Sequence, residues 1–384
     1  MNKTELIATA AFGLEAVVAK ELKELGYKDQ MVENGRVTFY GDELAVCRTN
    51  LWLRSADRVL LKMGEFKATS FEELFEQTKA LPWPDLLPGN AEFPVNGKSV
   101  KSRLFSVPDC QAIVKKAIVE KMKQKYRQQW FEENGPLYKV EVGLLKDIAT
   151  ITVDTSGAGL HKRGYRELTA TAPLRETLAA AMVMLSKWPA DRVLEDPFCG
   201  SGTIPIEAAL IGLNIAPGQK RDFASQAWPG ISGDLWRQAR EEADDLALKA
   251  RTLRITGTDI DPDVLSLARH HARKAGIEEH IHFQQRPFGS LQSRYEYGYL
   301  ICNPPYGERM GEVHEAEEIY RQLGRVYSSM PTWSFFVITS HLGFEKLFGR
   351  RATKKRKLYN GRIQCNFYQY HGPEPPGEKK HQAD

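Results

Sequence analysis

Cysteine is scarce and scattered: Cys47, Cys110, Cys199, Cys302 and Cys365 form no CxxC pair and no Cys/His spacing of the kind that holds zinc. An odd number of dispersed thiols excludes a disulfide scaffold and a zinc ribbon, and fits a reducing, cytoplasmic setting with no metal expected. Long apolar runs are missing as well. No stretch of about 18 apolar residues exists, so no membrane-spanning helix is expected. The opening "MNKTELIATAAFGLEAVVAKELKELGY" lacks a cleavage-site pattern and continues as an amphipathic helix, which reads against a signal peptide. There is no internal repeat and no long low-complexity tract. Strong net charge is also absent: 53 Lys+Arg against 49 Asp+Glu leave +4, so composition by itself does not announce a nucleic-acid partner.

What is present is length, apolar content and an uneven distribution of charge. A chain of 384 residues exceeds what one core usually supports, so two or three domains are expected. Between Lys98 and Glu167 there are 14 basic residues against 8 acidic ones, and "GRRATKKRK" (349–357) holds six basic residues and no acid. Such stretches suit a phosphate-rich partner; each is equally compatible with a solvated lysine-rich face.

The first 65 residues read strand, helix, two strands about an Asn-Gly turn, helix and strand, a βαββαβ order typical of a split βαβ α+β unit. Residues 66–165 add the helix "SFEELFEQTKAL", a Pro-rich connector, a strand near "EFPV", a long basic helix and two further strands. In that helix Ile113, Val114, Ala117, Ile118 and Met122 share one face, predicting a docked helix with a cationic outer surface. From about Thr169 strands alternate with helices, which implies a doubly wound α/β sheet over 166–370. The last residues, 371–384, are polar and proline-rich and are expected to fray.

Three loops fall at carboxyl ends of strands in this second half, where open α/β sheets bind ligands. The first, "DPFCGSGT" (196–203), places Asp196 before two glycines, Gly200 and Gly202, and opens a helix at Thr203. It lacks the Lys-Ser/Thr of a P-loop and the spacing of GxGxxG; a glycine-rich turn of this length, taken alone, is more often a tight strand-to-helix turn than a ligand seat. The second, "GTDID" (257–261), puts Asp259 at a strand end, where a carboxylate can accept both hydroxyls of a ribose, while Asp261 suits the next helix's N-cap. The third, "NPPY" (303–306), stiffens a turn with two prolines and leaves the Asn303 side-chain oxygen and nearby carbonyls as acceptors beside an aromatic ring. That combination suits a planar group bearing an amine, although a Pro-rich turn is the plainer alternative.

The ordered triplet resembles the class I S-adenosylmethionine-dependent methyltransferases of the amino-methylating group, whose signature is (N/D)PP(Y/F). The resemblance covers roughly 165–370. The upstream half is similar to a THUMP module (66–165) behind a ferredoxin-like unit (1–65), an arrangement typical of RNA guanine-N2 methyltransferases. With "HKRGYRE" (161–167) as a bridge and "NPPYGER" (303–309), the likeness is greatest to the N-terminal half of a guanine-N2 methyltransferase of large-subunit ribosomal RNA. The resemblance implies a Rossmann-like methyltransferase domain, S-adenosylmethionine as cofactor, and RNA, as ribosomal RNA or a pre-ribosomal particle, as partner. It implies Asp196, Gly200 and Gly202 around the methionine end of the cofactor, Thr203 opening the helix that follows, Asp259 on its ribose, Phe198 and Ile260 as further cofactor-binding residues, and Glu176 of "APLRE" (172–176) in a closing segment. Asn303 and the Pro304 carbonyl would accept from the target amine, and Tyr306 would stack on the base. One departure stands out: where such families often place an acid for the cofactor adenine, this chain has Arg286, Pro287 and Phe288. The adenine contact is therefore unassigned. Transfer to tRNA guanine, RNA adenine-N6 methylation and a non-catalytic RNA-binding assembly role remain alternatives to guanine-N2 chemistry on 23S rRNA.

Overall fold

The computed structural model describes residues 4–166, 174–307 and 312–377. Residues 1–3, 167–173, 308–311 and 378–384 lie outside it, and with them the end of "HKRGYRE", the start of "APLRE", the last residues of "NPPYGER" and the second half of the expected tail. No helix among the described residues is long and apolar enough to cross a membrane. All five cysteines are buried thiols.

The described residues divide into two compact units. The first is built on the strands β1 (Thr4–Ala10), β2 (Gln30–Glu33), β3 (Arg36–Gly41), β4 (Ala56–Lys67), β5 (Val95–Val100), β6 (Val140–Leu145) and β7 (Ile148–Asp154), which form one seven-stranded sheet in the order β2-β3-β1-β4-β7-β6-β5. Its helices include α1 (Glu15–Glu24), α2 (Glu43–Trp52), α3 (Phe71–Ala80), α4 (Trp83–Leu86) and α5 (Val107–Tyr126). The βαββαβ order is present as β1-α1-β2-β3-α2-β4, with Asp42 capping α2 through the Ala45 N–H. The two expected modules share this sheet because β4 is long: its first half pairs with β1 and its second half with β7. On α5, Val114, Ala117, Ile118 and Met122 are buried as the periodicity requires, while Ile113 is only half-buried. The outer face is less freely cationic than the sequence suggests. Lys115 bonds Glu133 at 2.7 Å and lies 3.6 Å from the Phe93 ring centre, and Lys123 pairs with Glu120, leaving Lys116, Lys125 and Arg127 exposed.

The second unit carries α6 (Glu176–Ser186), α7 (Thr203–Gly212), α9 (Pro262–Ala275), α10 (Glu312–Ser329) and α11 (Phe344–Phe348); α8 (Gly233–Asp245) precedes α9 in the chain. Its sheet consists of β8 (Leu194–Asp196), β9 (Ile255–Asp259), β10 (Ile281–Gln285), β11 (Tyr299–Cys302), β12 (Ser334–Thr339), β13 (Lys354–Asn360) and β14 (Ile363–Tyr370), in the order β10-β9-β8-β11-β12-β14-β13. The strands from β10 to β12 are parallel, and β14 and β13 close the far edge as an antiparallel hairpin. Strand order reverses between β8 and β11, so a crevice is expected beyond the carboxyl ends of β9, β8 and β11. The central parallel strands β8, β11 and β12 are buried on both sides, as β12 "SFFVIT" with all six residues buried illustrates, while the edge strand β10 exposes three of its five residues.

The two compact units do not follow chain order throughout. Arg221–Ala243, with its Trp-rich segment, belongs to the first unit, and Ala11–Val17 belongs to the second. The reason is side-chain packing that sequence order hides. Trp228 stacks on Tyr138 at 4.4 Å and donates its indole N–H to the Leu137 carbonyl, and Arg48 forks onto the Glu242 carboxylate at 2.8 Å.

Candidate active site

The glycine loop begins where β8 ends. Asp196 is 1% exposed, and its carboxylate accepts the Phe198 N–H at 3.1 Å. Burial, reinforced by the nearby charge of Asp259, pushes its pKa well above the ordinary carboxylate range. The two glycines of this loop do different work. Gly202 caps α7 at φ +85°, and a methyl group there would stand 3.0 Å from the Ala268 Cβ and 3.2 Å from the Phe283 ring. Gly200 has φ +49°, and a methyl group there would meet nothing within 4 Å. His271 of α9, which the sequence did not single out, meets the Ser201 carbonyl through Nδ1 at 3.1 Å and so ties the loop to the neighbouring helix.

Asp259 terminates β9 with its carboxylate held in place. Oδ2 accepts the Gly200 N–H at 2.9 Å and Oδ1 the Asp261 N–H at 3.1 Å. Each oxygen keeps a further lone pair for a ligand. Asp261 caps α9 by accepting from the Asp263 N–H at 2.8 Å, the structural role its position suggests. Gly257 serves packing: a methyl there would stand 2.9 Å from the Phe283 ring and 3.1 Å from the Cys199 sulfur.

At the end of β11 the Tyr306 hydroxyl donates to Asn303 Oδ1 at 2.6 Å, and Cys365 Sγ reaches that hydroxyl at 3.6 Å. Burial pushes the Tyr306 pKa up, so its hydroxyl remains a neutral donor. Tyr306 is thus turned toward Asn303 and packed against the core, and it also lines the cavity. Tyr320 of α10, fully buried, donates to the Pro305 carbonyl at 2.7 Å and exchanges a 2.9 Å hydrogen bond with Thr339. Among the described residues no donor reaches the Pro304 carbonyl. The loop's acceptors are therefore sorted: the Pro305 carbonyl is used for anchoring, Asn303 Oδ1 holds the Tyr306 hydroxyl and keeps a further lone pair, and the Pro304 carbonyl is left without a donor among the described residues.

One cavity of about 1360 Å³ runs across all three loops. It is lined by Asp196, Phe198, Gly200, Thr203, Asp259, Ile260, Asn303, Pro304 and Tyr306, so the residues named from the sequence converge as side chains or backbone on a single space. Two expected members stand apart. Gly202 is not in the wall; its place is the packing under α7. Glu176 is also outside the lining, 4% exposed, and ion-paired to Arg166 at 3.2 Å. Arg166 also bonds the Thr203 hydroxyl and the Leu174 carbonyl. Glu176 therefore acts through Arg166 on the start of α7.

The departure noted after β10 has a structural account. Arg286 does not face the cavity; its guanidinium binds the buried carboxylate of Glu195 in β8. Burial raises the Glu195 pKa and the Arg286 charge opposes that rise. Pro287, Phe288, Gly289 and Ser290 line the cavity instead, with Phe288 tilted against Phe198 at 5.0 Å. Ile260, 69% exposed, lines the same cavity. The wall is completed by Asn360 and Ile363 of the β13–β14 hairpin, for which the sequence offered no local signal.

Three comparisons with known proteins bear on this architecture. The family described as "RMKL-like, methyltransferase domain" matches residues 163–369, the "RlmL ferredoxin-like domain" matches 5–60, and the "THUMP domain" matches 68–154. A Bacillus subtilis (strain 168) protein named "Putative RNA methyltransferase YpsC" is 53% identical over 382 residues, covering 99% of each chain. A Listeria monocytogenes (str. 4b F2365) crystal structure, named a predicted N6-adenine-specific DNA methylase, shares 55% identity over 97% of each chain at a TM-score of 0.94. SMU.472, named "a putative methyltransferase complexed with SAH", shares 45% identity over 98% of this chain and 100% of its own, at a TM-score of 0.93. With its methyltransferase domain behind an RlmL-type ferredoxin-like domain and a THUMP domain, the chain belongs to the RMKL-like methyltransferase family.

Proposed function

We propose that this protein transfers a methyl group from S-adenosylmethionine to the exocyclic N2 amine of a guanine in RNA, with 23S ribosomal RNA as the substrate. The observation that carries the reading is the pairing, in one cavity, of the Asp259 carboxylate with the Asn303–Pro304 acceptor pair. The residues present suit the cofactor. Asp196 is a buried carboxylate that accepts the Phe198 N–H, a setting that favours a cationic amine. Asp259 offers two oriented oxygens to a ribose diol, and Ile260 and Phe288 offer apolar faces to a flat ring. When bound, S-adenosylmethionine supplies an electrophilic methyl group on a sulfonium centre. The SAH carried by SMU.472 supports this choice of cofactor, and the THUMP domain and the name of the Bacillus subtilis relative support RNA.

The target amine is a poor nucleophile because its lone pair is conjugated with the ring. Asn303 Oδ1 and the Pro304 carbonyl accept its two hydrogens, which favours a tetrahedral nitrogen and aims the lone pair toward the cofactor side. Positioning two reactants in line supplies about 7–11 kcal/mol in favourable cases. The base must leave its stack to enter the cavity, and aromatic contact with Tyr306 returns about 1–3 kcal/mol of that cost. The proton leaves to solvent.

A second reading, adenine-N6 methylation, is favoured by the name of the Listeria relative, since the same acceptor pair serves either amine. Mass spectrometry of rRNA and tRNA nucleosides from a deletion strain separates the two. Loss of N2-methylguanine from 23S rRNA supports the first reading; loss of N6-methyladenine replaces it with the second. Purified protein should restore the missing mark, and Asn303→Ala should abolish transfer while leaving SAH affinity nearly intact. Equal loss of transfer and SAH binding would argue against the role given to Asn303.

A further inference from the structure

We propose that Phe12 and Tyr359 form a stacking platform for the RNA nucleotide flanking the target base, an inference that rests on the reading of the chain as an RNA methyltransferase. Single exposed apolar residues are ordinary on protein surfaces. Phe12 differs in how it is held and where it sits.

Phe12 is 57% exposed, and its ring centre lies 6.3 Å from that of half-buried Tyr359. The turn that carries it is fastened to β13. Arg356 Nη1 donates to the Gly13 carbonyl at 3.0 Å, and Gly13, at φ +90°, approaches so closely that a methyl group would stand 2.5 Å from the Lys357 carbonyl oxygen. Leu14 and Val17 then enter the methyltransferase core. A large ring is therefore carried in solvent on a backbone fixed against β13, tilted by 59° to the Tyr359 ring beside it. Preorganised rings cost little further entropy when a base stacks on them.

The location connects this pair to the cavity. Asn360, the next residue after Tyr359, lines the cavity wall together with Ile363, its partner across the hairpin. Strand alternation turns Tyr359 to the other side of β13 from Asn360, and Lys357 to the same side as Tyr359. A single strand leaving the cavity over the hairpin tip passes the exposed Arg362, reaches the Phe12–Tyr359 pair, and continues toward the exposed Lys357. Cations alternating with an aromatic surface match a nucleic-acid single strand, whose bases present π faces and whose phosphates are anionic. The cluster "KKRK" is thereby divided. Lys355 pairs with Glu345 and Arg356 anchors the turn, which leaves Lys354 and Lys357 for phosphate.

The test measures binding of full-length protein to a short fluorescein-labelled single-stranded RNA of mixed sequence and to an abasic ribose-phosphate oligonucleotide of equal length. Phe12→Ala should weaken binding to the RNA about 5- to 150-fold, leave the abasic oligonucleotide and SAH bound as in wild type, and be rescued by Phe12→Trp. Wild-type RNA affinity in Phe12→Ala, or an equal loss for both oligonucleotides, would overturn the platform. Failure of the functional reading is distinguishable. A protein that shows base-dependent binding through Phe12 yet methylates no RNA keeps the platform and loses the reaction; unchanged KM for RNA in an active Phe12→Ala enzyme does the reverse.

Discussion

The two glycines of "DPFCGSGT" offer a test in which stability and ligand binding separate. In Gly202→Ala the new methyl faces the Ala268 Cβ at 3.0 Å and the Phe283 ring at 3.2 Å, with the Ala268 backbone close behind. Left-handed backbone costs a non-glycine residue about 1–2 kcal/mol. Crowding against a packed helix adds about 1–3 kcal/mol. The expected loss for Gly202→Ala is thus roughly 2–5 kcal/mol. Gly200→Ala incurs only the backbone cost of about 1–2 kcal/mol, because its methyl meets nothing within 4 Å. That open space borders the cavity, since Gly200 lines the wall and its N–H holds Asp259. Gly200→Ala should therefore stay folded and lose roughly tenfold or more in SAH affinity, the equivalent of about 1.4 kcal/mol. Urea unfolding and calorimetric titration of SAH measure the two effects. A Gly202→Ala protein as stable as wild type, or Gly200→Ala being the less stable of the two, would refute the assignment of packing to one glycine and ligand approach to the other.

Asp196→Asn keeps the acceptor for the Phe198 N–H but removes the buried charge. The wild-type carboxyl has a folded pKa raised above its ordinary value near 3.8, so its contribution to stability is full below that value and is lost as pH rises through the folded pKa. Relative to wild type, Asp196→Asn should gain stability on going from acid to neutral pH, read as urea midpoints, while SAH binding weakens by about 1.5–3 kcal/mol for the lost charge-assisted contact. Tyr320→Phe strips the donor from the Pro305 carbonyl, and kcat should fall roughly tenfold with SAH affinity unchanged, for about 1–3 kcal/mol of lost anchoring. Tyr306→Phe removes the 2.6 Å bond to Asn303 and the Cys365 Sγ contact to the same hydroxyl, keeps the ring, and should cost about 0.5–1.5 kcal/mol in kcat/KM; Tyr306→Ala should cost a further 1–3 kcal/mol, roughly, if the ring also carries the base. Equal kinetics for the two Tyr306 variants would remove the stacking role.

Much of the architecture was legible because it is local. The βαββαβ order, the Asn-Gly turn before Arg36, the Asp261 cap and the buried stripe of α5 all follow from spacing and from residue chemistry within a few positions of one another. Asp196, Asp259 and Asn303 could be named for the same reason: each follows directly on an apolar strand, and in a parallel sheet such positions share one edge. What lay beyond reach depends on residues far apart in the chain. Glu176, implied as a cofactor residue, pairs with Arg166 outside the cavity lining, and Arg286, the departure that left the adenine contact unassigned, binds Glu195. Tyr320 anchors a loop 15 positions away, and residues 221–243 pack against β-strand neighbours from the first half of the chain. Which loops carry acceptors and glycines follows from residue type and strand position, and is readable along the chain. Which acceptors are already bonded, which glycine is a packing necessity and which aromatic stays in solvent follow from the packing of distant segments. Those outcomes depend on which distant side chain reaches a group first, and periodicity carries no record of that.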